Sequence, residues 1–230
     1  MEKNQVNLEL ASYIGRTLRE YFGKGPESVF VSNYQSTMTV YLRNFITPSE
    51  SVLLTQGQEA MVLRTRDLLM KTLIPEFKAY IKILTGMEIS EFYYDWGIHN
   101  KSGIFVCFGS SKESNHLNDE NYEGKENIHS EITRISIQAE KEPGEIHSIR
   151  VNPRTLVVIR KEILVPIERE LIRLGNSETL KLAKRNLEKR LLHNSNQFET
   201  ILKTKVNDIF VDWDFNLDKS AIALILSPTS

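Results

Sequence analysis

Residues 89–108 read ISEFYYDWGIHNKSGIFVCF, and residues 206–226 read VNDIFVDWDFNLDKSAIALIL. Each is an apolar run ending in Asp-Trp, then a polar turn, then a second apolar run, the pattern of a β-hairpin. The two Asp-Trp pairs, ending at Trp96 and Trp213, lie 117 positions apart. The match extends outward. Thr37-Met38-Thr39-Val40-Tyr41 falls opposite Thr155-Leu156-Val157-Val158-Ile159 at an offset of 118, as do Pro48 and Glu50 opposite Pro166 and Glu168, and Gly57 opposite Gly175. Arg66-Asp67-Leu68 pairs with Arg185-Asn186-Leu187 at 119. Ordered matches at a nearly fixed offset identify an internal duplication.

Each copy reads α-β-β-α-β-β. The first opens with a helix over residues 6–22, its apolar side carrying Val6, Leu8, Leu10, Ile14, Leu18 and Phe22. Gly23-Lys24-Gly25-Pro26 stops it. Because that turn follows a helix instead of a strand, its amides do not form a phosphate loop. Two strands follow, the second alternating Met38, Val40, Leu42 against Thr39, Tyr41, Arg43. Thr47-Pro48-Ser49-Glu50 has the spacing of a capping box with proline in the first turn. Gly57 separates a short helix from a long one, in which Pro75 is expected to end or kink the helix near Ile74. In the second copy that break falls at His193-Asn194-Ser195-Asn196, with asparagine or serine expected to cap a new helix.

The fold class is therefore α+β: a tandem duplication, each copy an antiparallel four-stranded sheet with helices on one face. The first copy spans residues 1–108 and the second, more diverged, 128–230. Residues 109–127, polar apart from Leu117 and Tyr122, read as a flexible linker. Phe105 and Cys107 alternate with Ile104, Val106 and Phe108, so that strand is apolar on both faces and needs cover on both. The economical arrangement is a pseudo-dimer of the two copies within a monomer, or a weak homodimer.

Composition narrows the function. With 29 Lys and Arg against 30 Asp and Glu, the formal charge is −1, which argues against a partner held by phosphate attraction. No apolar run approaches the roughly 20 residues of a membrane span, and the first residues lack a signal core. Cys107 is the single cysteine, so an intrachain disulfide or cysteine metal cluster is excluded, and its place in a strand makes it buried and inert. These points favour the cytoplasm.

No Walker loop, Gly-x-Gly-x-x-Gly, Gly-x-Ser-x-Gly or His-Glu-x-x-His motif occurs. The scattered histidines, His99, His116, His129, His147 and His193, show no third convergent ligand for a metal. The reading calls for no cofactor and no metal. The positions singled out as contact or ligand candidates are Asp95, Trp96 and His99 at the first hairpin end and Asp212 and Trp213 at the second. The basic residues Arg64, Arg66, Lys184 and Arg185 on the long helices complete the set.

Five stretches of the first copy carry a family resemblance. They are Gly23-Lys24-Gly25-Pro26, Leu42 through Glu50, Gly57 with Arg64-Thr65-Arg66, Pro75-Glu76-Phe77 and Leu84-Thr85-Gly86-Met87. In this order they resemble the MpsC family, a bacterial domain of unknown function. The second copy keeps Val165-Pro166-Ile167-Glu168 and the hairpin but loses the glycine turn. The resemblance implies a cytoplasmic, non-enzymatic accessory or regulatory protein, peripheral to a membrane system for sodium-dependent potential generation and bicarbonate uptake. It implies no catalytic residues. Two other readings stand beside it: a small-ligand sensor with its site between the copies, and a nucleic-acid binder using the basic helices.

Overall fold

The computed structural model describes residues 3–110 and 121–228. Most of the expected linker, with His116 and Leu117, lies outside the described residues. The chain divides into two compact units, Met1–Ser114 and Asn115–Ser230.

The first unit runs α1 (Lys3–Phe22), β1 (Ser28–Tyr34), β2 (Thr37–Arg43), α2 (Pro48–Thr55), α3 (Glu59–Thr85), β3 (Ile89–Gly97) and β4 (Ser102–Gly109). The second runs α4 (Lys125–Ala139), β5 (Glu145–Asn152), β6 (Thr155–Lys161), α5 (Pro166–Arg173), α6 (Ser177–His193), α7 (Gln197–Leu202), β7 (Val206–Asp214) and β8 (Lys219–Leu226). The sheets are four-stranded and wholly antiparallel, in the orders β1-β2-β4-β3 and β5-β6-β8-β7. One irregularity is duplicated: β3 shifts register between Ile89 and Glu91, and β7 between Val206 and Asp208. Both are bulges near the start of the strand.

Each unit has its own core between helices and sheet. Leu10, Ile14 and Leu18 of α1 meet Met38, Val40, Leu42, Phe105 and Cys107 of the sheet and Met70, Leu73, Phe77 and Ile81 of α3. In the second unit Ile128, Ile132 and Ile135 of α4 meet Leu156, Val158, Ile222 and Leu224. Leu8, expected on the buried face of α1, is instead 70 % exposed. Ile104, Val106 and Phe108 are buried as well as Phe105 and Cys107. Burial drives the Cys107 thiol far above its usual titration range.

One expectation about the long helix needs correcting. Pro75 neither ends nor breaks α3, which continues to Thr85. Proline removes the hydrogen bond to the carbonyl of Lys71, but Pro75 and Lys71 both lie on the exposed side, where water can satisfy that carbonyl. In the second unit the helix does divide. Asn196 takes the cap position without a side-chain bond, and the Ser195 hydroxyl accepts from the Gln197 amide at 3.3 Å.

Gly23-Lys24-Gly25-Pro26 is a packing turn. A Cβ on Gly25 would lie 2.9 Å from the carbonyl oxygen of Gly15 in α1, and Lys24 Nζ donates to the carbonyl of Ile46 at 3.0 Å. Gly103 is just as constrained. It pairs with Trp96 across β3 and β4, and a Cβ there would lie 2.6 Å from Trp96 Cε3. Gly103→Ala should therefore destabilise the first unit by about 1–3 kcal/mol through overpacking, visible as a lower urea midpoint with an unchanged slope.

Candidate functional site

The capping box expected at Thr47 forms. Glu50 N–H donates to Thr47 Oγ1 at 3.2 Å, and Thr47 N–H donates to Glu50 Oε2 at 2.8 Å. The same carboxylate has a second role. Arg66, on α3 and 0 % exposed, donates through Nε to Glu50 Oε1 at 2.7 Å and through Nη2 to Oε2 at 2.8 Å. Nη2 also reaches the carbonyl of Phe45 at 2.7 Å. This is a bidentate guanidinium–carboxylate fork set in an aromatic box. The Arg66 guanidinium carbon lies 4.6 Å from the Trp96 ring centre, 4.7 Å from Phe45 and 5.7 Å from Phe22. Burial would push the Glu50 carboxyl up; Arg66 and the Thr47 groups outweigh it and hold the carboxyl below its usual range.

The second unit repeats this pair with other residues. Glu168 at the start of α5 accepts from the Val165 amide at 3.0 Å. Valine has no side-chain acceptor, so only half of the box survives. Lys184 Nζ donates to Glu168 Oε1 at 2.9 Å and stands 5.7 Å from the Trp213 ring centre. Glu50 and Arg66 are 16 residues apart, as are Glu168 and Lys184. The structural counterpart of Arg66 is therefore Lys184, at an offset of 118, and not Arg185 as the identity match suggested.

Around Lys184 the chemistry changes. At the same offset, Leu18, Phe22, Leu42 and Met70 of the first unit become Ser136, Glu140, Arg160 and Glu188. Arg160 donates to Glu188 Oε2 at 2.5 Å, to Ser136 Oγ at 2.8 Å and to Ser220 Oγ at 2.8 Å. Lys184 also pairs with Glu140 and stands 3.5 Å from Glu188. Trp213 Nε1 donates to Glu188 Oε1 at 3.1 Å. The apolar surround of one buried ion pair has become a buried network of five charged groups.

The candidate positions divide sharply. Arg66, Lys184, Trp96 and Trp213 come together, pairwise, as cation-on-indole contacts inside the two units. Asp212 is buried and pairs with Lys181 at 2.6 Å. Asp95 is buried in β3, whereas His99 is exposed in the turn beyond it. Arg64 is exposed on α3 and Arg185 is 1 % exposed on α6. The basic face expected on α6 is thus not a solvated one, because Lys184 and Arg185 are both turned inward. Among the described residues, no group of three or more His, Cys, Asp or Glu side chains could hold a metal ion.

A family model described as "Na+-translocating membrane potential-generating system (MpsC)" matches residues 2–109 and again 123–228. The chain belongs to the MpsC family. Its two matched segments coincide with the two α+β units, so the protein is a tandem of MpsC units, the second diverged. No curated protein and no solved structure matches the chain. In the sequence Glu50 reads as a helix cap, Glu168 as its counterpart in the second copy and Glu188 as a local counter-charge on the basic long helix, while Glu140 and Arg160 carry no signal. Applying one constant offset through the helices would have exposed charges at positions that are apolar in the first MpsC unit.

Trp96 is 0 % exposed and packs in the core of the first unit. Trp96→Ala should cost the first unit about 3–5 kcal/mol, measured by urea denaturation.

Proposed function

We propose that this tandem MpsC protein is a non-enzymatic accessory component, peripheral to the membrane on its cytoplasmic side, that acts on a sodium-translocating membrane system through protein contacts. The observation that carries the reading is family membership over both units, joined to the finding that no described helix is long and apolar enough to cross a membrane. The side chains singled out for chemistry support it, because most are committed to holding the fold. Arg66, Lys184 and Asp212 are buried in ion pairs.

The surface offers a contact face instead. Met61, Arg64 and Leu68 recur at the three- and four-residue spacing of one helix side on α3. Met61 is 53 % and Leu68 54 % exposed, and Arg64 is exposed between them. Apolar residues flanking an arginine suit a protein partner. At the matching positions of the second unit Thr179 and Asn186 replace Met61 and Leu68, and Leu182 replaces Arg64, so the arginine flanked by apolar residues belongs to the first unit alone.

The test is cross-linked affinity purification of the tagged chain from membranes of its own host. Subunits of an ion-transport system should be recovered, and Met61→Glu with Leu68→Glu should reduce that recovery at least tenfold while leaving the fold intact. Recovery of the chain alone, or equal recovery with the double variant, would contradict the reading.

A further inference from the structure

The second MpsC unit encloses more negative than positive charge. Three carboxylates, Glu140, Glu168 and Glu188, face two cations, Arg160 and Lys184, so the fully ionised cluster sums to −1. Glu140 and Glu188 side chains are 1 % exposed, Arg160 1 % and Lys184 6 %. In the first unit the corresponding pair, Glu50 and Arg66, sums to zero. Burying an uncompensated charge is expensive, and a carboxyl in that position takes up a proton instead.

The geometry singles out which carboxylate gives way. Glu188 accepts from both Arg160 and Trp213. Glu168 accepts from Lys184 and from the Val165 amide, at the N-terminus of α5. Glu140 has the poorest support. It caps the C-terminal end of α4, where the helix dipole disfavours an anion. Its Oε2 accepts from Lys184, but Oε1 has no hydrogen-bond partner among the described residues and lies 3.5 Å from Arg160 Nη1.

From this arrangement we infer that the second unit contains a buried proton-binding site, with Glu140 as the group that takes up and releases the proton. Arg160 of β6 and Lys184 of α6 face it as cations. Glu188 of α6 faces it as an anion, and Glu168 of α5 shares Lys184. Ser136 of α4 and Ser220 of β8 close the network through Arg160. Burial and the charge of Glu188 push the Glu140 carboxyl up, against the pull of Arg160 and Lys184, to about 7.

The sign of the effect follows. The unfolded Glu140 titrates near 4.5, so between that pH and neutrality the folded unit holds a proton that the unfolded chain has lost. Its contribution to stability is complete below the unfolded value and disappears as pH rises through about 7. Proton release places a second anion beside Glu188 and loosens the junction of α4, β6 and α6. The first unit, with a neutral pair, has no counterpart, so the site confers a one-sided response on the tandem.

The experiment is a pH titration of the side-chain carboxyl carbons of the full chain by 13C NMR. One glutamate should titrate with a midpoint near 7, and that resonance should be missing from Glu140→Gln. In Glu188→Gln the midpoint should fall by at least one pH unit, because the neighbouring anion is gone. If Glu140→Gln does not fold, the Glu188→Gln shift carries the assignment. A wild-type spectrum in which every glutamate titrates below about pH 5.5, within the ordinary range, would overturn the inference. So would a neutral midpoint that persists in folded Glu140→Gln or is unmoved by Glu188→Gln.

Discussion

Both units depend on one buried contact: the carboxylate that opens the short helix, gripped by a cation from the long helix beneath a tryptophan of the edge strand. Glu50 with Arg66 and Glu168 with Lys184 each join three elements, the loop leaving the second strand, the short helix and the long helix. Trp96 and Trp213 place the third strand of each unit against the same cation. Without that cation the carboxylate would be buried and unpaired, a situation that costs about 3–5 kcal/mol. Without the carboxylate the cation would be stranded among aromatic rings. The pair therefore dictates how the broken helical region sits on the sheet.

The two units solve the surrounding packing problem in different ways. In the first, arginine spreads its charge over a planar fork and stacks on three rings, and the remaining neighbours are apolar. In the second, lysine is a compact point charge that cannot make a bidentate fork. Additional carboxylates, Glu140 and Glu188, gather round it, and Arg160 offsets only one of them. A buried network of this kind stabilises only when its members are satisfied, and within it Glu140 Oε1 accepts no hydrogen bond among the described residues and faces Arg160 Nη1 at 3.5 Å. Duplication gave the chain a second scaffold in which charge replaced hydrocarbon while the backbone topology was retained.

Much of this architecture was legible in the residues. The Asp-Trp hairpins, Gly57 with Gly175 and the Pro48 and Pro166 helix starts are local signals whose physics does not depend on context, and they led directly to two α+β units. Reading failed where context decides. Pro75 carried a true local cost, but its exposure lets the helix run on. Leu8 lies two residues from both Val6 and Leu10, about 200° round the helix from each, and so falls on the opposite, exposed side. Lys184 and Arg185 looked like a solvated basic face because a helix sequence does not say which side is enclosed. The buried charges were invisible for a related reason: Glu140, Arg160 and Glu188 are far apart in sequence, and each alone resembles a surface residue.

The most direct test of the central contact is a double-mutant cycle on Glu50→Gln and Arg66→Met in the full chain, with stability read by urea denaturation. If this pair organises the unit, each single change is strongly destabilising, while the double variant loses less than the sum. The coupling would be about 2–3 kcal/mol, within the span seen for residues in one network. Additive losses, with no coupling beyond about 0.5 kcal/mol, would contradict the account and move the burden of holding the fold to the aromatic packing alone.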